Sequence, residues 1–419
     1  MSTAPAVPDE GPAPLLRAVL LVFLPFAGGF FLSEVFRSVN ALIAPLLIAD
    51  VRLSPADLGL LTAAYLAPFA LFQIPLGLLL DRFGARRVQS MLLLFSALGA
   101  FVFALADDLT GLAIGRALIG FGLAGGLMAA LKALAQWFPE RQWTLVNGCF
   151  FALGGLGAVS TTMPLQALLG VADWRDIFLA LSAAVLVVSA SIFFLVPERP
   201  KPGAPVSRAE LLAGVRVIYT DRLFWRVAPL AAAGQATFIA VQGLWAGPWL
   251  KDVAGLSTDG VARTLLFVAL AASAGYVGHG LLAQRLLRLG VSVRTTMGGT
   301  LLVFLVSQLL LILELDRSSP WPWLLLGLMG NAAMVAYAYL TASFPVAYAG
   351  RINTCFNLIV FGWAFTAQYV VGVIIEAFPT SPGGGYAPEG YRWAFGTLLA
   401  AEVLAFLWYL VPLKERRAP

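Results

Sequence analysis

The chain has 419 residues and a net charge of +5, and 60% of its residues are hydrophobic while only 12% are charged. Apolar runs of roughly twenty residues recur along it, which is the length that crosses a bilayer as a helix. The runs are continuous, whereas a membrane β-barrel needs alternating apolar and polar residues. The composition therefore predicts an all-α polytopic membrane protein, and the positive charge does not require a nucleic-acid partner.

The first sixteen residues are rich in proline and alanine, and they lack the basic start and cleavage site of a signal peptide. We expect a disordered tail there. Twelve transmembrane helices are then predicted in chain order at residues 17–48, 58–80, 88–106, 111–136, 143–168, 177–196, 226–249, 261–283, 295–313, 321–342, 353–377 and 393–411. The even number of crossings places both termini on one side of the membrane.

The distribution of basic residues predicts the orientation. With both termini inside, the cytoplasmic tails and loops carry 18 of the 27 lysines and arginines, and the outer loops carry 6. Cytoplasmic loops are the ones enriched in Lys and Arg. We therefore expect both termini in the cytoplasm and the protein in a bacterial-type inner membrane. The other three cations, Arg37, Arg116 and Lys132, lie inside predicted helices.

The longest internal linker, residues 198–225, divides the chain into two halves and contains an amphipathic stretch that should lie on the cytoplasmic face. The halves repeat each other at offsets of 203 and 206 residues. The matching pairs are Pro45 and Pro248, Gly77 and Gly280, Arg82 and Arg285, Asn147 and Asn353, and Cys149 and Cys355. Equivalent helices run in the same direction, so the halves are parallel repeats.

This pattern predicts a tail at 1–16, a six-helix bundle at 17–197, the linker at 198–225, a second six-helix bundle at 226–412 and a tail at 413–419. The two cysteines, Cys149 and Cys355, form neither a disulfide framework nor a metal cluster, so we expect no metal and no cofactor. We expect a monomer in contact with membrane lipids.

Two motifs resemble those of a known family. Residues 77–87 resemble the loop motif that follows helix 2 in the major facilitator superfamily, and Gly115-Arg116-Ala-Leu-Ile-Gly120-Phe-Gly122 resembles that family's helix 4 motif. The resemblance covers nearly the whole chain. It implies a secondary transporter that works by alternating access, with two six-helix bundles around a cavity lined by helices 1, 4, 7 and 10.

Polar side chains in membrane helices avoid lipid and face a protein interior or a wet cavity. In this chain they concentrate on the four helices that the resemblance assigns to the cavity. The predicted substrate-binding residues are Glu34, Arg37, Asn40, Lys132, Gln235, Gln242, Trp245, Asn331 and Tyr337. Glu402 on the last helix is the exception, and it suggests either a protonated carboxyl or a contact with another protein.

Arg37 is the strongest candidate among these residues, because a guanidinium inside a helix needs a partner or a role and its fork of donors suits a carboxylate or phosphate. Glu34 and Asn40 lie three residues to either side of it, on the same face. The alternative is a Glu34–Arg37 ion pair that only fixes helix packing. In resembling transporters, an arginine at a similar place is associated with anionic substrates.

The resemblance also implies a cytoplasmic gate. In relatives, the loop aspartate pairs with neighbouring helices when that side is closed, and the arginine of the helix 4 motif is linked to coupling or to a lock with helix 1. The predicted gating residues are Gly77, Asp81, Arg82, Gly84, Arg86 and Arg116. Gly77 is also expected to let helices approach closely. The alternative for this segment is a turn held by Gly84 and flanked by topology charges.

The expected function is uptake of a small organic anion that carries a carboxylate or phosphate. A proton or sodium ion is the candidate coupling partner, and uniport, symport and antiport are all open at this point. Glu34 is the proton-coupling candidate, and His279, the only histidine, is expected to have a packing role. One alternative is an efflux pump for lipophilic or drug-like compounds. Against it, residues 152–157 replace the Gly-Pro stretch that drug/proton antiporters carry on helix 5.

A second alternative is a non-transporting assembly factor or metal carrier on the same fold. The methionines contain no Met-x-x-x-Met pair, which speaks against soft-metal transport. An enzyme is not expected, because the membrane helices show no nucleophile–base pair and no phosphate-binding loop.

Overall fold

A computed structural model describes residues 12–139, 142–197, 208–317, 319–345, 348–380 and 385–412. These residues are mostly helical, with short turns between the helices and one isolated β-bridge between Thr380 and Tyr386. Eleven helices in the described part are long and apolar enough to span a membrane, and Asn40–Val51 and Pro55–Leu71 are shorter apolar helices. The prediction of an all-α, multi-pass membrane protein is confirmed.

The N-terminal half contains α1 to α6. The bounds are Pro12–Ala18, Val19–Phe23, Leu24–Ser38 and Asn40–Val51 for α1; Pro55–Leu71 and 73–83 for α2; 85–105 for α3; Leu109–Leu123 and Gly126–Trp137 for α4; Trp143–Ser160 and Met163–Leu169 for α5; and Trp174–Leu195 for α6. Helix α2 begins where it does because Ser54 and Asp57 form a capping box.

The C-terminal half contains α7 to α12, preceded by a linker helix at Arg208–Thr220. The bounds are Arg222–Ala240, Val241–Trp245 and Ala246–Asp252 for α7; Thr258–Arg288 for α8; Val293–Ile312 for α9; Trp321–Met329 and Met334–Ala342 for α10; Ala349–Glu376 for α11; and Pro388–Leu410 for α12. Helix α7 begins at Arg222, inside the predicted linker, because Asp221 caps it by accepting hydrogen bonds from two backbone amides.

The turn between α2 and α3 is tighter than the sequence suggests. Helical structure continues on both sides of Gly84, which alone adopts a non-helical conformation with φ 82° and ψ 160°. This left-handed φ favours glycine, so one residue accomplishes the reversal for which residues 81–87 were predicted.

The breaks in α4 and α10 fall at equivalent positions of the repeat. Helix α4 is interrupted at Ala124–Gly125, and α10 is interrupted at residues 330–333. The offset of 206 residues relates Ala124 to Gly330 and Gly125 to Asn331. Broken helices in transporters commonly line a binding site near the membrane midplane, because their freed backbone groups need a polar or wet surrounding.

An aspartate fastens the first and last helices of each half at the same end of the molecule. Asp50, at the end of α1, accepts hydrogen bonds from Trp174 Nε1 at 2.8 Å and from Arg175 at 2.9 Å. Asp252, at the end of α7, accepts one from the Tyr391 hydroxyl at 2.8 Å. These parallel contacts are a structural trace of the repeat.

The membrane-embedded Glu402 of α12 has a partner within the chain. Its side chain is completely buried, and its carboxyl accepts a hydrogen bond from Gln308 of α9. Buried charged groups normally need such a partner. The contact satisfies one carboxyl oxygen, and the other, Oε1, is buried without a hydrogen-bond partner in the described part of the chain.

Candidate functional site

A cavity of about 260 Å³ lies between the two halves and is lined by residues of both. Its wall includes apolar and aromatic side chains from each half. These are Phe30, Phe69, Leu123, Leu127, Met128, Leu131, Phe151, Phe238, Ile239, Met334, Val360 and Phe361. A largely apolar wall with a few polar groups is typical of a small-molecule site.

Arg37 and Glu34 are the only charged residues among those described in the cavity wall. They form an ion pair with each other along α1, through Arg37 Nη2 and Glu34 Oε1. The side chain of Arg37 keeps 24% of its surface exposed, and α1 is interrupted at Val39, two residues further on. Because Glu34 engages only one of five guanidinium donors, other donors of Arg37 remain for a ligand.

The C-terminal half contributes uncharged hydrogen-bonding groups to the same wall. Gln235 and Gln242 come from α7, and Asn331 lies at the break in α10. Asn331 donates to the Ala272 carbonyl of α8 at 3.1 Å, and its own amide oxygen is buried without a partner in the described part of the chain. Tyr337 donates its hydroxyl proton to the Asn357 side chain of α11.

Three predicted binding residues lie outside the cavity wall. Asn40 is fully buried and donates to the Thr62 hydroxyl of α2 at 2.9 Å. Trp245 is also fully buried, and its indole donates to the Gln368 carbonyl of α11 at 3.3 Å. Lys132 donates to the Leu80 carbonyl at 3.0 Å, so it holds α4 against the end of α2.

Several polar wall residues were not predicted. They are Ser33, Ser38, Gln73, Ser273, Tyr276, Asn353 and Asn357. The internal repeat had already paired Asn353 with Asn147, but that match carried no role. Tyr276 lies on α8, a helix expected at the bundle interface, where an aromatic residue has the ordinary appearance of a core residue.

The predicted gating residues whose side chains the structure describes make separate contacts. The side chain of Asp81 lies outside the described residues. The guanidinium groups of Arg82 and Arg86 lie over the rings of Phe83 and Phe193, each at 5.3 Å. A Cβ atom at Gly77 would meet no heavy atom within 4 Å, so this glycine does not serve close helix packing in the present conformation.

Arg116 lies directly behind the Arg37 region. It is 1% exposed, donates to the Phe36 carbonyl of α1 at 2.8 Å and stacks over the Phe103 ring at 5.4 Å. The residue that accepts this hydrogen bond, Phe36, directly precedes Arg37 in α1. Arg116 therefore supports the backbone of the site from outside the main cavity.

His279 of α8 is buried, and its Nδ1 donates to the Gly275 carbonyl at 2.7 Å, one turn earlier on the same helix.

One end of the cavity is sealed by backbone contacts between the halves; we call it the closed end. A Cβ atom at Gly247 of α7 would lie 1.9 Å from the Ala41 carbonyl of α1, and one at Gly372 of α11 would lie 2.4 Å from the Pro55 carbonyl at the start of α2. Only glycine permits such an approach. In the other direction the cavity extends past Leu131 and Asn353 toward the Gly84 turn. We call this end of the cavity the open end.

Glu376, the last residue of α11, adds a polar contact at the closed end. One of its carboxylate oxygens accepts hydrogen bonds from the Ser54 hydroxyl and the Ala56 amide, both at 3.0 Å. A carboxylate at a helix N-terminus is favourable, because it accepts from free amides and interacts with the helix dipole. Glu376 thereby joins the end of α11 to the start of α2.

We expect Glu376→Ala to loosen the closed end. The residue is solvent-exposed, so the contact is worth about 1 kcal/mol, or roughly fivefold in the ratio of open to closed states. The measurement is the labelling of a cysteine at Ala158, in the cavity wall, by an impermeant thiol reagent added at the closed end, with Cys149 and Cys355 replaced by serine. Glu389→Ala, at the exposed start of α12, is the matched control. Equal labelling in both variants would show that Glu376 does not hold this end.

Comparison with known proteins places the chain in a family. The Major Facilitator Superfamily model matches residues 26–375. The "Probable sulfoacetate transporter SauU" of Cupriavidus necator is 25% identical over 68% of this chain and 69% of its own length. The hexuronate transporter of Escherichia coli is 25% identical over 61% of this chain and 62% of its own length. Other curated relatives are matched over about half of their length.

Solved structures give the same answer for the fold. A bacterial homologue of the human lysosomal transporter Spinster, in an inward-facing and occupied conformation, superimposes with a TM-score of 0.76 over 96% of this chain and 97% of that one, at 19% identity. The helix order, the parallel halves and the central cavity agree with this assignment. The chain belongs to the Major Facilitator Superfamily and is a non-enzymatic transporter with twelve membrane helices in two bundles.

Proposed function

We propose that this transporter moves a small organic anion bearing a carboxylate, sulfonate or phosphate group, by alternating access. The observation that carries the proposal is Arg37, the only cation among the described residues of the cavity wall. An arginine in a low-dielectric cavity favours an anion over a cation, and its planar donors fit a two-oxygen acid group. The names of the relatives support an organic acid, since they specify sulfoacetate and hexuronate.

Glu34 is the group that we propose for proton coupling. It is ion-paired with Arg37, so its negative charge opposes the binding of a substrate anion at the same guanidinium. Protonation of Glu34 removes its charge and releases Arg37 for the anion, which links the binding of one proton to the binding of one substrate. Anion and proton then cross together.

The proposed direction is uptake across a bacterial inner membrane with both termini in the cytoplasm. The Gly84 turn and the basic residues beside it lie at the open end, and basic loops belong on the cytoplasmic side. With that orientation the present conformation is inward-facing, closed to the outside by the Gly247 and Gly372 contacts.

Efflux of lipophilic compounds is the second candidate. It is favoured by the aromatic residues of the wall, which include Phe30, Phe69, Phe151, Phe238 and Phe361. Such apolar surface favours apolar ligands, because the hydrophobic effect has no directional requirement. Arg37 counts against this candidate, because a lipophilic cation gains nothing from it.

Uptake into proteoliposomes tests the proposal. Purified full-length protein is reconstituted and supplied with radiolabelled sulfoacetate, tartrate, glucuronate, glucose or tetraphenylphosphonium, with and without an inward proton gradient. We expect accumulation of at least one of the three organic anions and an increase when the gradient is imposed. Transport of tetraphenylphosphonium with no uptake of any anion would favour the efflux candidate instead.

A further inference from the structure

Tyr276 of α8 lies in the cavity wall, on the opposite bundle from the charged residues Arg37 and Glu34. Tyr276 is half-buried in the wall and interacts electrostatically with both Arg37 and Glu34. Arg37 belongs to the N-terminal half and Tyr276 to the C-terminal half. The charged pair therefore has a neutral hydrogen-bond donor beside it from across the bundle interface.

The ring of Tyr276 is held in place by the partner bundle. It stacks on Phe151 of α5, with ring centroids 6.0 Å apart and an interplanar angle of 17°. One turn earlier on α8, the Ser273 side chain packs so closely on α5 that a Cβ atom at Gly155 would lie 2.7 Å from its hydroxyl oxygen. These contacts hold the ring of Tyr276 against α5 without using its hydroxyl.

Three tyrosines interact electrostatically with Arg37: Tyr65, Tyr276 and Tyr337. Tyr65 of α2 lies outside the wall of the main cavity, and of the two tyrosines in the described wall only Tyr276 has its hydroxyl proton free. Tyr337 also interacts electrostatically with Arg37, but it donates its proton to Asn357. Tyr276 makes no hydrogen bond within the described part of the chain. A phenol that is positioned but has no acceptor is ready to donate to a ligand.

We propose that Tyr276 is a substrate-contacting residue whose hydroxyl donates to the same acid group that Arg37 holds, so that the bound anion bridges the two bundles. This inference rests on the proposed function. Because the bridge joins α1 to α8, it forms fully only when these helices are at the right distance. Binding of the anion then favours that arrangement over others, which is how occupancy is coupled to the movement of the bundles.

The test compares dissociation constants of purified full-length variants for sulfoacetate, tartrate, glucuronate and nitrate. Tyr276→Phe keeps the ring and its stacking on Phe151, so we expect the melting temperature without ligand to stay unchanged. The dissociation constant of the bound anion should rise by about 10-fold, which is the loss expected for one hydrogen bond to a charged group. Tyr369→Phe, at a half-exposed position of α11, is the matched control and should bind as the wild type does.

A double-variant cycle tests whether the two residues hold one group. If they do, Tyr276→Phe raises the dissociation constant by clearly less than 10-fold in an Arg37→Lys background, because the anion is no longer fixed against the hydroxyl. If the fold-changes in dissociation constant of the two single variants multiply in full in the double variant, the two residues do not hold one group. Wild-type affinity in Tyr276→Phe, alongside weakened binding in Arg37→Lys, would overturn the inference and leave the proposed function standing. Wild-type affinity in Arg37→Lys, or no binding of any anion by the wild type, would overturn the proposed function itself.

Discussion

We expect Arg37→Lys to weaken the binding of the transported anion by about 10- to 100-fold while the protein stays folded. Lysine keeps the positive charge and can still pair with Glu34, but it loses the planar fork that meets two oxygens of one acid group. A hydrogen bond to a charged group contributes roughly 1.5–3 kcal/mol, which gives this range. The measurement is the dissociation constant for each anion by isothermal titration.

A second variant separates binding from folding. Arg37→Ala alone leaves the carboxylate of Glu34 without its partner, which destabilises the fold whatever the role of the arginine. Combining it with Glu34→Gln removes both charges and keeps the cavity neutral. We expect this neutral-pair variant to fold and to bind no anion. Arg392→Lys, in the salt bridge between α12 and Glu314, is the matched control. Binding by the neutral-pair variant at wild-type affinity would return Arg37 to a packing role.

We expect Gly247→Ala to hold the closed end open and to reduce transport by at least about tenfold. The added Cβ would lie 1.9 Å from the Ala41 carbonyl, a backbone atom that cannot rotate away. Overpacking of this kind costs roughly 1–3 kcal/mol, and here only the state with the closed end sealed bears the cost. The population therefore shifts away from the conformation described above.

Labelling of the Ala158 cysteine from the closed end measures this shift. It should become faster in Gly247→Ala, and anion binding from that side should persist because the cavity wall is unaltered. Gly278→Ala on α8 is the matched control, since a Cβ atom there would meet no heavy atom within 4 Å. Unchanged labelling together with wild-type transport would mean that the glycine contact is not part of the gate.

The sequence predicted the parts of the fold that follow from local rules. Helix number follows from apolar length, and the two halves follow from the repeat that relates Gly77 to Gly280. The position of Arg37 in the cavity follows from the cost of placing a guanidinium in lipid. Each of these inferences needs only the chain itself and the bilayer.

The contacts between helices could not be predicted in the same way. Asn40 shares a helical face with Arg37, yet it donates to Thr62, because α2 packs against α1 at this position and separates Asn40 from the cavity. Lys132 finds the Leu80 carbonyl, and no residue pattern marks a free carbonyl. Tyr276 was overlooked because an aromatic residue on an interface helix has the same sequence appearance whether it packs or binds.

Thermal stabilisation by anions is the most direct test of the claim that Arg37 holds an acidic substrate in this cavity. Purified wild-type protein and the neutral-pair variant are heated with sulfoacetate, tartrate, glucuronate, nitrate and, for comparison, glucose. A ligand at about 100 times its dissociation constant stabilises the folded state by about 2.7 kcal/mol, which is readily measured. We predict stabilisation of the wild type by an organic anion and none in the variant. Equal stabilisation of both proteins, or stabilisation by glucose alone, would contradict the account.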